Sequence, residues 1–136
     1  QALWGNEVAE FHGDFVDFEP SYQWPKPVQR PRPRVLVGGG AGPKLFDHIA
    51  EYADGWMPIG GAGLREALPK LRAALIERER DPNSLHIVPM GIEPDEAKLA
   101  YYANMGVTEA VLRVPSAARD EVMPVLDDLT RYLSSS

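Results

Sequence analysis

The sequence predicts an α/β protein in which parallel strands are covered by helices on their outer face, with enough elements for half of a (β/α)8 barrel. Over residues 35–136, four short apolar segments alternate with four segments of helical periodicity. The apolar segments are hydrophobic at successive positions, which is typical of parallel strands that are buried on both faces. Four such units make half of an eightfold barrel, although a doubly wound sheet has the same pattern.

The first 34 residues are predicted to form an inserted loop or hairpin followed by a proline-rich connector. Residues 10–18 alternate apolar and polar side chains around Gly13, as a short hairpin does. Four prolines then hold the chain extended up to residue 34, since each restricts its own backbone and that of the preceding residue. The chain opens on QALWGN without a methionine, and we expect it to be part of a larger protein.

Each βα unit of residues 35–136 has its own signal. Strands are predicted at residues 35–37, 55–59, 85–90 and 107–114. The apolar stripes of the four following helices are Leu45, Phe46, Ile49, Ala50 and Ala53; Leu64, Leu68, Leu71 and Leu75; Leu99 and Tyr102; and Val122, Leu126, Leu129 and Leu133. Pro69 requires its helix to begin shortly before it, Gly106 is expected just after the third helix, and the Ser134–Ser136 tail is expected to fray.

Composition excludes several classes of function. The net charge of −6 and the sequence pI near 5.0 leave no basic surface for nucleic acid or an anionic membrane. There is no cysteine, which excludes disulfides and thiolate metal sites and agrees with a cytoplasmic location. His12 and His48 have no second ligand at metal spacing and His86 is expected to be structural, so no metal site is predicted. The partner that remains is a small-molecule substrate.

The loop Gly38-Gly39-Gly40-Ala41-Gly42 is the main candidate for a binding site. It follows the first predicted strand and leads into a helix, where free backbone N–H groups and the helix dipole favour a phosphate group. Lys44 in the first helical turn can add a positive charge. Pro43 stands where both the dinucleotide fingerprint and the P-loop require glycine, so neither motif is present. The sequence therefore predicts a phosphate cradle of another type, or a tight turn without a ligand.

Several segments together resemble the luciferase-like monooxygenases, and more narrowly their branch that uses the deazaflavin coenzyme F420 in place of FMN. These segments are EFHGDFVDFEP (10–20), WPKPVQRPRPRVLVGG (24–39), AEYADGWMPIGG (50–61) and GVTEAVLRVP (106–115). The resemblance implies a (β/α)8 barrel enzyme to which this chain contributes strands five to eight. It also implies that the backbone amides of Gly38, Gly39 and Gly40 contact the cofactor phosphate. The first half of such a barrel is absent here, so no catalytic acid or base is assigned.

Three further side chains are candidates around this site. Trp56 lies in the second predicted strand and is expected either to form an aromatic wall beside the cofactor ring or to pack in the core. Arg113 interrupts an apolar strand, where it is expected to face the barrel interior and meet an anionic substrate or cofactor group, or else a buried carboxylate. Asp54 is expected to hold the turn before Trp56 rather than to take part in chemistry.

The leading hypothesis is thus an F420- or FMN-dependent oxidoreductase or monooxygenase, with F420 preferred. Two alternatives stay open: a non-catalytic α/β binding or interaction module, and a flavodoxin-like nucleotide binder. Because a half barrel leaves two strand edges unpaired, we expect it to pair with a second copy or with its missing N-terminal half.

Overall fold

The computed structural model describes residues 1–133, so the predicted frayed tail at 134–136 lies outside the described residues. The chain divides into two compact units, Gln1–Arg34 and Val35–Ser136.

The first unit is built around a β-hairpin. A short helix α1 (Ala2–Gly5) precedes strands β1 (Val8–His12) and β2 (Asp17–Tyr22). The strands pair antiparallel, with Val8 opposite Tyr22 and His12 opposite Asp17. The hairpin predicted from the alternating pattern is therefore confirmed, whereas helix α1 was not predicted.

The second unit alternates strands and helices. Its elements are β3 (Leu36–Gly38), α2 (Pro43–Tyr52), β4 (Gly55–Met57), α3 (Leu64–Glu77), β5 (His86–Ile87), β6 (Met90–Ile92), α4 (Glu96–Asn104), β7 (Val111–Leu112) and α5 (Arg119–Leu129), followed by a 3-10 turn at Thr130–Tyr132. All of its strand pairs are parallel among the described residues. The predicted α/β fold with parallel strands is confirmed.

Within each of the two sheets of the second unit, the strands follow one another in the order of the chain. Strands β3, β4 and β5 are consecutive neighbours, and β6 pairs with β7. A parallel bridge between Ile59 and Met90, with a 2.7 Å hydrogen bond from the Gly60 N–H to the Met90 carbonyl, links these two groups. A doubly wound sheet needs a reversal of strand order, and the described strands show none. The flavodoxin-like alternative therefore does not fit this topology.

Several predicted boundaries are wrong, among them that of the strand expected at 55–59, which ends at Met57. The strand expected at 85–90 is split into β5 and β6, because Pro89 has no N–H to give to the strand beside it. The strand expected at 107–114 is reduced to Val111–Leu112. Helix α3 begins at Leu64, which leaves Pro69 inside the helix rather than at its start. Gly106 follows the C-cap of α4 with φ +90°, as predicted.

The core lies between one face of the sheet and helices α2 and α3. Trp56 and Ile87 occupy neighbouring positions on adjacent strands and point into this core. The buried helical residues are Phe46, Ile49 and Ala50 from α2, and Leu64, Ala67, Leu68, Leu71 and Leu75 from α3. Helices α4 and α5 contribute no fully buried residue, so the helical side of the core comes from α2 and α3.

Helix α3 ends in a strained position that offers a stability test. Glu79 has φ +56°, and the neighbouring Arg80 N–H donates to the Leu75 carbonyl at 2.9 Å. Glu79 thus has the left-handed backbone conformation that commonly ends a right-handed helix, and glycine adopts this conformation without the steric cost of a Cβ atom. We expect Glu79→Gly to raise the free energy of unfolding by about 1 kcal/mol. Urea denaturation measures this, and a Glu77→Gly control, placed in the helix itself, should lower stability by about 1 kcal/mol instead.

Candidate functional site

The glycine loop lies where the sequence predicted it, at the carboxyl end of a strand and the start of a helix. Strand β3 ends at Gly38, and Gly42 is the N-cap of α2, with Pro43 as the first helical residue. No side chain caps this helix end. The N–H groups of Lys44 and Leu45 in the first turn therefore have no partner within the helix, as at any helix N-terminus. Free donors and the helix dipole together suit an anionic group.

The backbone conformation requires glycine at only one position of the loop. Gly39 has φ +143°, which other residues rarely adopt, and a Cβ there would lie 3.4 Å from Leu45 Cδ1. A Cβ at Gly38 would make an ordinary contact of 3.7 Å with the Met57 carbonyl oxygen. At Gly40 and Gly42 a Cβ would meet no atom within 4 Å. The last two glycines thus leave open a stretch of backbone that a ligand can approach closely.

Trp56 lies in the core and supports the loop from behind. Its side chain is 2% exposed and packs edge-on against Phe46, with ring centroids 5.5 Å apart. The indole N–H donates a 3.0 Å hydrogen bond to the Gly39 carbonyl oxygen. Of the two positions that the sequence allowed for Trp56, the structure shows the one in the core. The side chain does not face an open barrel mouth. Successive side chains of a strand point to opposite faces of the sheet, and in β4 the Trp56 ring points to the face that the helices cover.

Asp54 holds the start of β4 against β3. Its carboxylate oxygen accepts a 2.7 Å hydrogen bond from the Val35 N–H, while its own N–H donates to the Val35 carbonyl at 2.8 Å. This reciprocal pair joins the two strands before their regular pairing begins. The structural role predicted for Asp54 is confirmed.

Arg113 is not buried, contrary to the expectation from its apolar neighbours. Its side chain is 66% exposed, and its guanidinium lies 3.9 Å from a carboxylate oxygen of Glu93. The strand there is too short to enclose the side chain. A cavity of 260 Å³ at the ends of β6 and β7 brings Arg113 together with Lys98 and Tyr102, a grouping that the sequence did not reveal. The side chain of Tyr102 fills the space where Gly61 would carry a Cβ.

Neither His86 nor His12 lines the glycine loop or the cavity beside Arg113. His86 faces Glu109 with 3.9 Å between Nδ1 and the carboxylate oxygen, too far for a hydrogen bond. His12 hydrogen-bonds Asp17 at 2.5 Å beside the hairpin turn. Within residues 1–133, no three His, Asp or Glu side chains are grouped so that they could hold a metal ion. Over the same residues, no helix has the length and apolar character needed to cross a membrane.

A cleft of 740 Å³ extends from the glycine loop along helices α2 and α3. Lys44 lies at its loop end, and Asp47 and Arg78 form an ion pair farther along it. The hydrogen bond with Asp47 raises the pKa of the Arg78 guanidinium above its ordinary value. The sequence did not predict this cleft, since its walls come from two helices that only the fold brings together.

Comparison with known proteins identifies the family. The profile of the luciferase-like monooxygenases matches residues 1–94, more than two thirds of the chain. The chain belongs to this family. The resemblance to the luciferase-like monooxygenases is thus confirmed.

Two further proteins match at the level of sequence. An uncharacterized protein of Mycobacterium tuberculosis is 36% identical over 135 residues, which cover 98% of this chain and 47% of that protein. The FMNH2-dependent dimethylsulfone monooxygenase of Pseudomonas putida is 29% identical over 76 residues, which cover 54% of this chain and 20% of the enzyme. The chain therefore spans about half the length of the mycobacterial relative.

Solved structures of the luciferase-like type share the fold. The monooxygenase RslO1 from Streptomyces bottropensis superposes with a TM-score of 0.66 and 17% identity, covering 96% of this chain and 56% of that one. An F420-dependent secondary alcohol dehydrogenase, solved with an F420–acetone adduct, gives a TM-score of 0.54 and 21% identity over 76% of this chain and 32% of the enzyme. At these identities the likeness concerns the arrangement of the chain.

Proposed function

We propose that this chain forms the cofactor-phosphate site of a flavin- or deazaflavin-dependent oxidoreductase of the luciferase-like family. The observation that carries the proposal is the glycine loop. It combines free helix N-terminal donors with two positions, Gly40 and Gly42, where a Cβ would meet only open space. A phosphate oxygen needs such close access to backbone N–H groups.

We further propose that residues 35–136 supply strands five to eight of a (β/α)8 barrel. The sequential order of parallel strands is what a barrel requires, since each strand of a barrel neighbours the next one along the chain. The mycobacterial relative, of which this chain covers 47%, has the length to provide four more βα units. In this arrangement the carboxyl ends of β3, β4 and β6 meet at the catalytic face.

The cofactor is proposed to be F420, with FMN as the alternative. The segments that resemble the family point to its F420-dependent branch, and one of the structures with the same fold is an F420-dependent alcohol dehydrogenase. The alternative rests on the sequence match to an FMNH2-dependent monooxygenase. Both cofactors carry a phosphate on a chain attached to the ring system, which is the group that the loop can accept.

The residues of this chain would bind and orient the cofactor. When bound, F420 supplies hydride transfer and reduced FMN supplies oxygen activation. The N–H groups of the loop and of the first turn of α2 would hold the phosphate, and Lys44 would add charge. Trp56 acts through the Gly39 carbonyl, which its indole N–H holds in place. Arg113, together with Lys98, is proposed to meet an anionic group of the substrate at the ends of β6 and β7.

Titration with each cofactor tests the proposal. The protein, produced with any segment that precedes Gln1 in its gene, is mixed with increasing F420 or FMN, and binding is followed by fluorescence quenching of the cofactor. We expect saturable binding of one cofactor that inorganic phosphate weakens by competition. If neither cofactor binds, the alternative of a non-catalytic binding module takes precedence.

A further inference from the structure

Two exposed features of the first unit, at opposite ends of its hairpin, carry aromatic side chains and opposite charges. One is the hairpin tip, residues 13–16. The other is a cleft of 420 Å³, here called the aromatic cleft, whose lining residues are Trp4, Gly5, Glu7, Trp24, Lys26, Arg30 and Pro31. Neither feature takes part in the proposed cofactor site, which lies in the second unit.

The hairpin tip presents an apolar side chain to solvent beside an acidic one. Phe15 is 98% exposed, and Val16 next to it is also exposed. The other two phenylalanines of the hairpin, Phe11 and Phe18, stack on each other with centroids 6.5 Å apart. Asp14 precedes Phe15, so the tip combines an unburied aromatic ring with a negative charge. Aromatic side chains, phenylalanine among them, are enriched in protein–protein interfaces.

The aromatic cleft offers a matching aromatic and basic surface. Trp24 is 64% exposed, and the Lys26 ammonium lies 5.5 Å from its ring centroid. Lys26 also donates hydrogen bonds to the carbonyl oxygens of Leu3 at 2.8 Å and Asn6 at 2.6 Å, which fixes the floor of the cleft. Arg30 brings a second cation, against one carboxylate in the lining, that of Glu7. The cleft is therefore suited to an aromatic ring that has an acidic neighbour.

The tip cannot reach the cleft of its own chain. The cleft contains residues on both sides of the open end of the hairpin, where Val8 pairs with Tyr22, and the tip closes the other end beyond His12 and Asp17. Strands of this length separate the two ends by roughly 15 Å. A second hairpin lying antiparallel to the first brings each tip to the other's cleft, and a two-fold axis forms both contacts at once.

We propose that two copies of this chain dimerise through their hairpins, with Phe15 of each copy inserted into the aromatic cleft of the other and Asp14 facing Lys26 and Arg30. The occupant of the cleft is a second copy because the complementary surface, aromatic and acidic, is present on the same unit. Stacking between Phe15 and Trp24 supplies the apolar contact, and the opposite charges fix the orientation. This goes beyond the proposed function and does not depend on cofactor binding.

Sedimentation equilibrium of the protein and of Phe15→Asp tests the proposal. We expect a dimer, and a dissociation constant at least about tenfold higher for Phe15→Asp, the effect of losing a central interface side chain. Phe15 makes no packing contact that folding needs, so circular dichroism should be unchanged. Val28→Asp is the matched control, since Val28 is 90% exposed in the same unit but does not line the cleft. It should leave the dissociation constant as it was.

A charge exchange tests the orientation of the pair. Asp14→Arg and Arg30→Asp should each weaken the dimer, and the double variant should recover much of the loss. A protein that is monomeric at its highest soluble concentration overturns the proposal. So does a dimer that is insensitive to Phe15→Asp, which would place the contact on the open sheet edges of the second unit.

Discussion

Replacing Gly40 by valine is expected to lower the affinity for F420 or FMN by at least about tenfold, with little change in stability. A Cβ at Gly40 would meet no protein atom within 4 Å, so the folded protein has room for the side chain. That room is the space in which the proposed phosphate approaches the backbone. The dissociation constant comes from fluorescence titration, and the free energy of unfolding comes from urea denaturation.

Two other glycines separate a binding effect from a folding effect. Gly5 also has open space for a Cβ but lies in the first unit, so Gly5→Val should leave both quantities unchanged. Gly39 has φ +143°, so Gly39→Ala should lower stability by about 1–3 kcal/mol because alanine is strained in that conformation. Equal cofactor affinity in the protein and in Gly40→Val would contradict the phosphate role of the loop.

Trp56→Ala is expected to lower the free energy of unfolding by about 3–5 kcal/mol, since it removes a large buried ring and leaves a cavity between the sheet and α2. Trp56→Phe keeps most of the ring and loses the hydrogen bond to the Gly39 carbonyl, which should cost about 1 kcal/mol. Because that bond holds the loop, Trp56→Phe should also weaken cofactor binding more than its small effect on stability suggests. Urea denaturation and cofactor titration measure the two effects.

The two possible roles of Trp56 differ in their spectra. If the indole formed a wall beside the cofactor ring, Trp56→Phe would change the absorbance spectrum of the bound cofactor. If it acts through Gly39, the affinity falls while that spectrum stays the same. Tyr22→Ala serves as an exposed aromatic control, because Tyr22 is 72% exposed and should change stability by less than about 1 kcal/mol. If Trp56→Ala also lowered the free energy of unfolding by less than about 1 kcal/mol, the result would contradict the place of Trp56 in the core.

Much of the fold was predictable because periodic patterns report burial directly. The stripe from Leu45 to Ala53 predicted α2, and the alternating residues 10–18 predicted the hairpin. The boundaries that failed depend on neighbours rather than on pattern. Pro89 divides a strand only because the strand beside it needs a donor there, and β7 is short although residues 107–114 include several apolar side chains.

The candidate site was predicted in part. The loop Gly38–Gly42 was visible as four glycines between a strand and a helix, and the structure puts it at a helix N-terminus. The direction of Trp56 was not visible, since a residue at the end of a strand can face either side of the sheet. The exposure of Arg113 and its nearness to Glu93 were not predictable either, because they depend on where strands β6 and β7 end.

The amino-acid sequence by itself determined that this protein alternates strands and helices, that its glycine loop carries no standard nucleotide motif, and that it resembles the luciferase-like family. Local pattern and backbone chemistry suffice for these conclusions. Only the tertiary structure decided which glycine of the loop the backbone conformation requires, which face receives Trp56, and that the exposed ring of Phe15 lies far from the aromatic cleft. Those facts depend on contacts between residues distant in the chain, and such contacts leave no periodic signal in the sequence.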